Sequence, residues 1–243
     1  MIRFIEKKIG FTFANFILQD PFLSNDFSQL HFVSLKNFEA PGFFKVTHKT
    51  PVIFLNNGPK EIFQKFNKTT RNEINKTMES TELFFENNSS NFNGFYELYK
   101  NFEATKKRLT SIPSLDNLLK NSRLFLAYYK KEVISAVLCY DNGEVLRANI
   151  ICSKRLSEGD KEFFKLISNS SRRLIFEICK YGIENGYSMV DLGEVCIDQN
   201  DKKFKIAQYK LNFTQELIDS IHYYRINNPI LKLLAWLKGV NYF

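Results

Sequence analysis

Apolar residues recur along this chain in two periods, and the switches between them mark its elements. Pro51-Val52-Ile53-Phe54-Leu55 is a short apolar run closed by Asn56-Asn57-Gly58, which predicts a buried strand and a turn. Pro59 is placed to open a helix. At about 100° per residue, Ile62, Phe63, Phe66, Ile74 and Met78 share one face of that helix, with Lys65, Lys68, Arg71 and Lys76 opposite. Thr81 to Glu86 predicts a strand. Phe92 to Lys107 predicts a second helix with Phe95, Leu98, Tyr99 and Phe102 inward, broken at Ile112-Pro113 and followed by a short helix over Leu115 to Lys120.

Three strands come next: Arg123 to Tyr129, Val133 to Tyr140 and Val145 to Ser153. Asn142-Gly143 between apolar runs is a strong local hairpin signal, so the three are read as an antiparallel meander. A charged loop, Lys154 to Lys161, leads into a long amphipathic helix. Its inner stripe is Ile167, Ser171, Leu174, Ile175, Ile178, Tyr181 and Gly182, and Asn185-Gly186 ends it. Ser188 to Leu192 is a short buried strand and Ile218 to Ile226 a late one. A meander, a crossover helix and another strand imply a mixed sheet, hence α+β or α/β. Residues 1–48 are aromatic-rich and irregular, and are read as a small N-terminal subdomain before a main domain over 49–243. The run Pro229 to Lys238 is apolar with lysines and one Trp. It suits a helix docked on the domain, the preferred reading, or one lying in a membrane interface.

Composition narrows the class. With 44% hydrophobic and 25% charged residues, 25 Phe and 11 Tyr, the chain can bury a sizeable core without staples. Its four cysteines form no C-x-x-C pair and sit in apolar runs, which predicts buried thiols and a reducing, cytoplasmic setting. The first eight residues lack the apolar centre of a signal peptide, and no run approaches the ~18 apolar residues that cross a bilayer. A net charge of +8 favours anionic partners such as coenzyme A, nucleotide sugars, tRNA or anionic lipid. His31, His48 and His222 are far apart with no ligand-like spacing, so no metal site is expected. No P-loop or G-x-S-x-G motif occurs.

Three segments carry a family resemblance. Lys68 to Lys76 places Arg71 three residues before Ile74. Gly186-Tyr187-Ser188-Met189-Val190-Asp191-Leu192-Gly193 is a helix ending in Gly, an aromatic, and a strand closing on Asp-x-Gly. Ile206 to Phe213 holds the Tyr209-Lys210 doublet and a following Phe. In this order, with a meander between, they resemble the GNAT-like acyltransferase fold, and within it the Fem (FemABX-like) branch that builds peptidoglycan cross-bridges. The resemblance covers about residues 50–226, one domain, whereas cross-bridge members carry two and several have a coiled-coil arm.

Acyl transfer to an amine requires that the donor's phosphates be held, the amine lose a proton, the oxyanion find donors and the leaving group be protonated. Helix N-termini bind phosphate, and Ser168, Asn169, Ser170, Ser171, Arg172 and Arg173 are read as the phosphate site at the start of the long helix. The alternative is a cap followed by solvated arginines. Arg71 either contacts phosphate or pairs with an acid. The resemblance implies that Lys210, with Tyr209 beside it, faces the reaction centre, while Phe204-Lys205 is a competing alignment. Glu194 follows the strand where the family commonly has Gly, and a carboxylate there can accept the ammonium proton; Asp191 is expected to bind backbone. Tyr223 and Tyr224 are candidates to protonate the leaving group, or core aromatics. The expectation is an N-acyltransferase, with acyl-CoA or acyl carrier protein as donor and an amine acceptor such as a nucleotide-linked amino sugar, in bacterial cell-envelope glycan or related biosynthesis. Fem-type transfer from aminoacyl-tRNA, and a non-catalytic basic module binding nucleic acid or membrane, are the alternatives. The basic module predicts no cleft beside Lys210 and Glu194.

Overall fold

A computed structural model describes residues 2–106, 121–154 and 159–237. The short helix expected over Leu115 to Lys120 lies outside them. The chain divides into two compact units: one holds the residues up to Thr50, Glu194–Phe204 and those from Leu217, the other Pro51–Gly193 and Lys205–Glu216.

The second unit carries the meander. Strands β5 (Leu83–Glu86), β6 (Ser122–Tyr129), β7 (Glu132–Asp141) and β8 (Val145–Ser153) are antiparallel neighbours. β9 (Met189–Asp191) runs parallel to β8 and antiparallel to the end of β4 (Phe44–Phe54), so the sheet is mixed as expected. The fold class is α+β. Helix α1 (Pro59–Lys65), α2 (Lys68–Met78) and α4 (Lys161–Glu184) share a core with this sheet, centred on Ile62, Phe66, Ile74, Phe125, Val137, Leu174 and Ile178. Helix α3 (Phe92–Thr105) packs against β7 and β8.

Two helices stand where the apolar stripe predicts one. The stripe is continuous, but Phe66 is extended at ψ 151° and the Asn67 side chain accepts from the Thr69 N–H at 2.8 Å, capping α2 anew. Local hydrogen bonding overrides a periodicity that both helices preserve. α4 ends as expected, with Gly186 at φ +75° beyond Asn185.

β8 and β9 pair only over Val145–Arg147 and Met189–Asp191. On its other side β8 bulges: Leu138 faces Ile150 and Cys139 faces Ala148, leaving Asn149 unpaired. Beyond Arg147 the two parallel strands have no ladder between them. This is the opening beside which the site is built.

The first unit corrects the expectation of irregular structure. β1 (Ile2–Lys8) and β2 (Phe11–Ile17) form a hairpin closed by Ile9 and Gly10, both at positive φ. β2 runs parallel to β3 (Gln29–Ser34), and β3 pairs antiparallel with β10 (Leu217–Ile226). One face buries Phe16, Leu30, Phe32, Ile221 and Tyr223, with aromatic rings edge-to-face around Phe16 and Phe32. The other face carries Asn15, His31, His222 and Tyr224. The alternation is present in the sequence, but so many of its polar-face positions are aromatic that the period of two is hidden. Helix α5 (Phe204–Leu211) enters the second unit at Lys205.

Helix α6 (Pro229–Leu237), capped by Asn228, contacts β10 and half-buries Leu231 and Ala235 on one face, but has no fully buried residue. Ile230, Leu233, Trp236 and Leu237 are each more than half exposed. No helix among the described residues is long and apolar enough to cross a membrane.

Candidate active site

Where β8 leaves β9, the second unit holds a cavity of about 340 Å³. Phe102 and Lys106 come from the end of α3, Ile151 and Ser153 from β8, Ser168, Ser171 and Arg172 from α4, and Lys205, Ile206, Tyr209 and Lys210 from α5. Four of the eleven described lining residues are cationic and none is acidic, so the cavity suits an anion.

Lys210 is partly buried and donates from Nζ to the Gly193 carbonyl at 2.9 Å. Gly193 closes β9 at φ +77°, a conformation that glycine adopts without strain. Asp191 sets that turn. Fully buried, it accepts from the Gly193 N–H at 2.8 Å through Oδ1 and from Arg147 at 2.8 Å through Oδ2. Asp191 binds backbone, as the sequence led us to expect. Tyr209 donates to the Ser171 carbonyl at 3.2 Å and fixes α5 on α4. Lys205 and Lys210, the competing candidates, both line the cavity.

The proposed phosphate segment is placed differently from its expectation. α4 begins at Lys161, where the Asp160 side chain accepts from the Phe163 N–H at 2.7 Å. Residues 169–173 therefore lie about two turns inside the helix, where backbone N–H groups are already bonded. Ser170 and Ser171 donate back to Leu166 and Ile167 at 2.8 and 3.0 Å. Ser171 Oγ also lies 2.8 Å from Ser135 Oγ. Arg173 is committed to Glu177 at 3.0 Å and stacks 4.5 Å over Phe85; it does not line the cavity. Arg172 does. It is held by Ser168 Oγ at 2.7 Å and by Glu73 of α2 at 2.7 Å, over the Tyr209 ring. Arg71 donates to the Gln64 carbonyl, and Asn169 and Ser170 are likewise outside the cavity lining. The structure thus brings together Lys210, Tyr209, Ser168, Ser171 and Arg172, adds Lys106, and leaves the rest of the segment as helix interior. Lys106 sits one residue before the predicted end of its helix, with no motif to single it out.

Glu194 lies in the first unit. Ser220 donates to its Oε1 at 3.0 Å, and His222 Nε2 lies 2.6 Å from the same atom. His222 Nδ1 is 3.0 Å from His31 Nε2 and 3.1 Å from the Tyr224 hydroxyl, and His31 Nδ1 is 3.0 Å from Asn15 Oδ1. The His48 ring stands 4.9 Å from that of His222. Histidines isolated in sequence are therefore adjacent in space. Burial holds the His31 pKa down at about 4, with the neighbouring His222 acting in the same direction. Tyr223 is a core residue whose hydroxyl accepts from the Phe38 N–H at 2.7 Å.

No protein-family profile matches the sequence, and no curated protein does. Solved structures do. The crystal structure of FemX aligns with a TM-score of 0.66 over 96% of this chain and 86% of that one, at 12% identity. The C-terminal domain of a putative lysylphosphatidylglycerol synthetase from Agrobacterium fabrum aligns at 0.56, over 98% and 84%, with 11% identity. L-PGS from Bacillus licheniformis aligns at 0.51, over 83% and 68%, with 13% identity. At these identities the likeness is one of fold, and it is the FemX-like fold.

Proposed function

We propose, from the premise of a FemX-like fold, that the protein is an acyltransferase that moves an acyl group from a phosphate-bearing carrier to an amine. One observation carries the reading: the cationic cavity at the parting of β8 and β9, with Lys210 and Tyr209 on its wall. The rival basic module predicts no cleft beside Lys210 and Glu194; the cavity adjoins Lys210 but not Glu194.

In this reading the carrier's phosphates meet Lys106, Lys205 and Arg172, and the acyl carbonyl comes to Lys210. Arg172 needs little reorganisation to meet an anion, because a hydrogen bond to Ser168 orients its guanidinium, with Glu73 as its ion-pair partner. The amine nitrogen attacks the carbonyl carbon, a C–N bond forms, the C–S or C–O bond to the carrier breaks, and the proton lost by the amine passes to the departing sulfur or oxygen. Negative charge passes through the carbonyl oxygen, where the Lys210 ammonium stabilises it. The Gly193 carbonyl keeps that ammonium aimed at one place before substrate arrives. Glu194 is not carried forward as the proton acceptor, because its Oε1 already faces Ser220 and His222.

Acyl-CoA or acyl carrier protein is the preferred donor, and an amine, including one on a nucleotide-linked sugar, the acceptor. Aminoacyl-tRNA remains the second donor, favoured by the chain's +8 charge. The test is thermal stabilisation of the purified protein by coenzyme A and acetyl-CoA at low and moderate salt. At a hundredfold over Kd, a ligand that binds only the folded state adds about 2.7 kcal/mol. A shift that survives moderate salt supports a CoA donor. No shift with coenzyme A, acyl carrier protein or aminoacyl-tRNA overturns the acyltransferase reading.

A further inference from the structure

The polar face of the first unit holds a group that the proposed transfer does not use. His48 of β4, Glu194 after β9 and His222 of β10 each offer one ligand atom, and all three atoms lie within 4.8 Å of one another. We propose that these residues form a binding site for a divalent cation of the Zn²⁺ class, with a coordination position left to solvent.

The hydrogen-bond order behind His222 is the first argument. Asn15 Oδ1 can only accept, so His31 Nδ1 carries a proton. A neutral His31 then presents a lone pair at Nε2, to which His222 Nδ1 can donate, with the Tyr224 hydroxyl 3.1 Å from the same nitrogen. That leaves His222 Nε2 aimed at the Glu194 carboxylate 2.6 Å away. A neutral His222 would set two lone pairs against each other there. In that tautomer a cation sits between them, either a proton or a metal ion.

The third ligand decides between the two. A proton needs only the His222–Glu194 pair. A metal uses a further donor, and His48 supplies one from the neighbouring strand, its ring 4.9 Å from that of His222 at 77°. Two imidazoles and a carboxylate are the donor set of borderline divalent ions with an open position. Tetrahedral coordination at about 2.0–2.2 Å places neighbouring ligand atoms roughly 3.3 Å apart. Glu194 and His222 would open by less than 1 Å from 2.6 Å, and His48 would close from within 4.8 Å. His48 is exposed and free to make that movement without disturbing a core.

The outer shell is already built. Metal-bound histidines donate their other ring nitrogen to a fixed acceptor, which sets tautomer and ring angle. His222 does so to His31, which stacks flat against Tyr224 at 4.4 Å and is anchored by Asn15. Ser220 orients the Glu194 carboxylate. Four segments, β2, β3, β10 and the stretch after β9, thus converge to hold two ligands.

The test uses the full chain, stripped with EDTA, desalted and titrated with Zn²⁺ and then Co²⁺. Bound metal is read by equilibrium dialysis and elemental analysis, and Co²⁺ geometry by visible absorption. The expected result is one ion per chain, intense tetrahedral-type Co²⁺ bands and a higher Tm with Zn²⁺. His48→Ala changes an exposed side chain and is expected to keep the fold, checked by circular dichroism, while binding metal at least about tenfold more weakly. Glu194→Gln should behave alike, and Cys196→Ser should bind as the wild type does. Absence of saturable one-to-one binding at micromolar metal overturns the proposal. So does unchanged affinity in His48→Ala, or loss of the site in Cys196→Ser.

Discussion

Lys210 and Gly193 hold each other: the lysine Nζ donates to the glycine carbonyl at 2.9 Å, and a methyl group on Gly193 would come within 3.2 Å of that same nitrogen. The end of β9 therefore fixes where the α5 ammonium points. Lys210→Met removes the charge and keeps most of the volume. With whichever donor stabilises the wild type, it should lower transfer about 10²-fold or more, the scale seen when one oxyanion donor is lost. Lys205→Met should weaken donor binding and leave the rate at saturation closer to that of the wild type. Steady-state kinetics on the two variants separate the roles. Equal kcat for Lys210→Met and the wild type would remove Lys210 from the chemistry.

Gly193→Ala tests the other side of the pair. At φ +77° an alanine is strained, and its Cβ also meets the Ala148 carbonyl at 3.2 Å. A loss of about 1–3 kcal/mol is expected in urea unfolding. Activity should fall further than stability requires, because Lys210 must shift.

Asp191 supports both residues from beneath. Asp191→Ala removes the carboxylate paired with Arg147, only 11% exposed, and frees the Gly193 N–H. Breaking such a pair costs about 3–5 kcal/mol. Asp191→Asn keeps an oxygen for Gly193 and should cost less. Chemical denaturation of the two variants orders them, and equal losses would show that the backbone bond contributes little.

What the sequence disclosed was whatever is decided locally. Asn142-Gly143 fixes its hairpin within four residues, and Gly186 ends α4 in place, so the second unit was legible through β9. Asn67 was also local, but a continuous apolar stripe across two helices concealed the cap. The cation cluster of the cavity was half legible. The Tyr209-Lys210 doublet has a pattern, whereas Lys106 reaches the wall only because of where α3 ends. His31 and His222 are 191 positions apart, and their contact depends on the β3–β10 register, which nothing near either residue encodes. Residues 169–173 misled for another reason. Hydroxyls and guanidiniums resemble an anion site wherever they occur, and only their depth in the helix distinguishes a terminus from an interior turn.

The thiols offer a check on the core. Burial pushes Cys139, Cys152 and Cys179 far above the ordinary thiol range, while Cys196 is partly exposed. The raised values keep these three as neutral thiols through mildly alkaline pH, so they are poor nucleophiles. Titration with a thiol reagent at pH 8 should find one reactive cysteine in the native protein and four in denaturant. Three or more fast thiols in the native state would contradict the packing around α4 and β7.

Helix α6 poses the last question, because most of its apolar side chains are exposed. Ile230, Leu233, Trp236 and Leu237 are exposed along a helix that also carries Lys232, in a chain of net charge +8. An amphipathic surface of that kind partitions into an anionic lipid interface, with buried apolar area and charge attraction both contributing. Trp236 is the only tryptophan in the chain, so its emission reports the helix alone. Vesicles containing phosphatidylglycerol should shift that emission to the blue, and neutral phosphatidylcholine vesicles should shift it less. Raising salt should reverse part of the difference. Leu233→Ser with Leu237→Ser, both exposed, should abolish the shift without lowering Tm. An unchanged emission spectrum with anionic vesicles would rule out an interfacial role for α6.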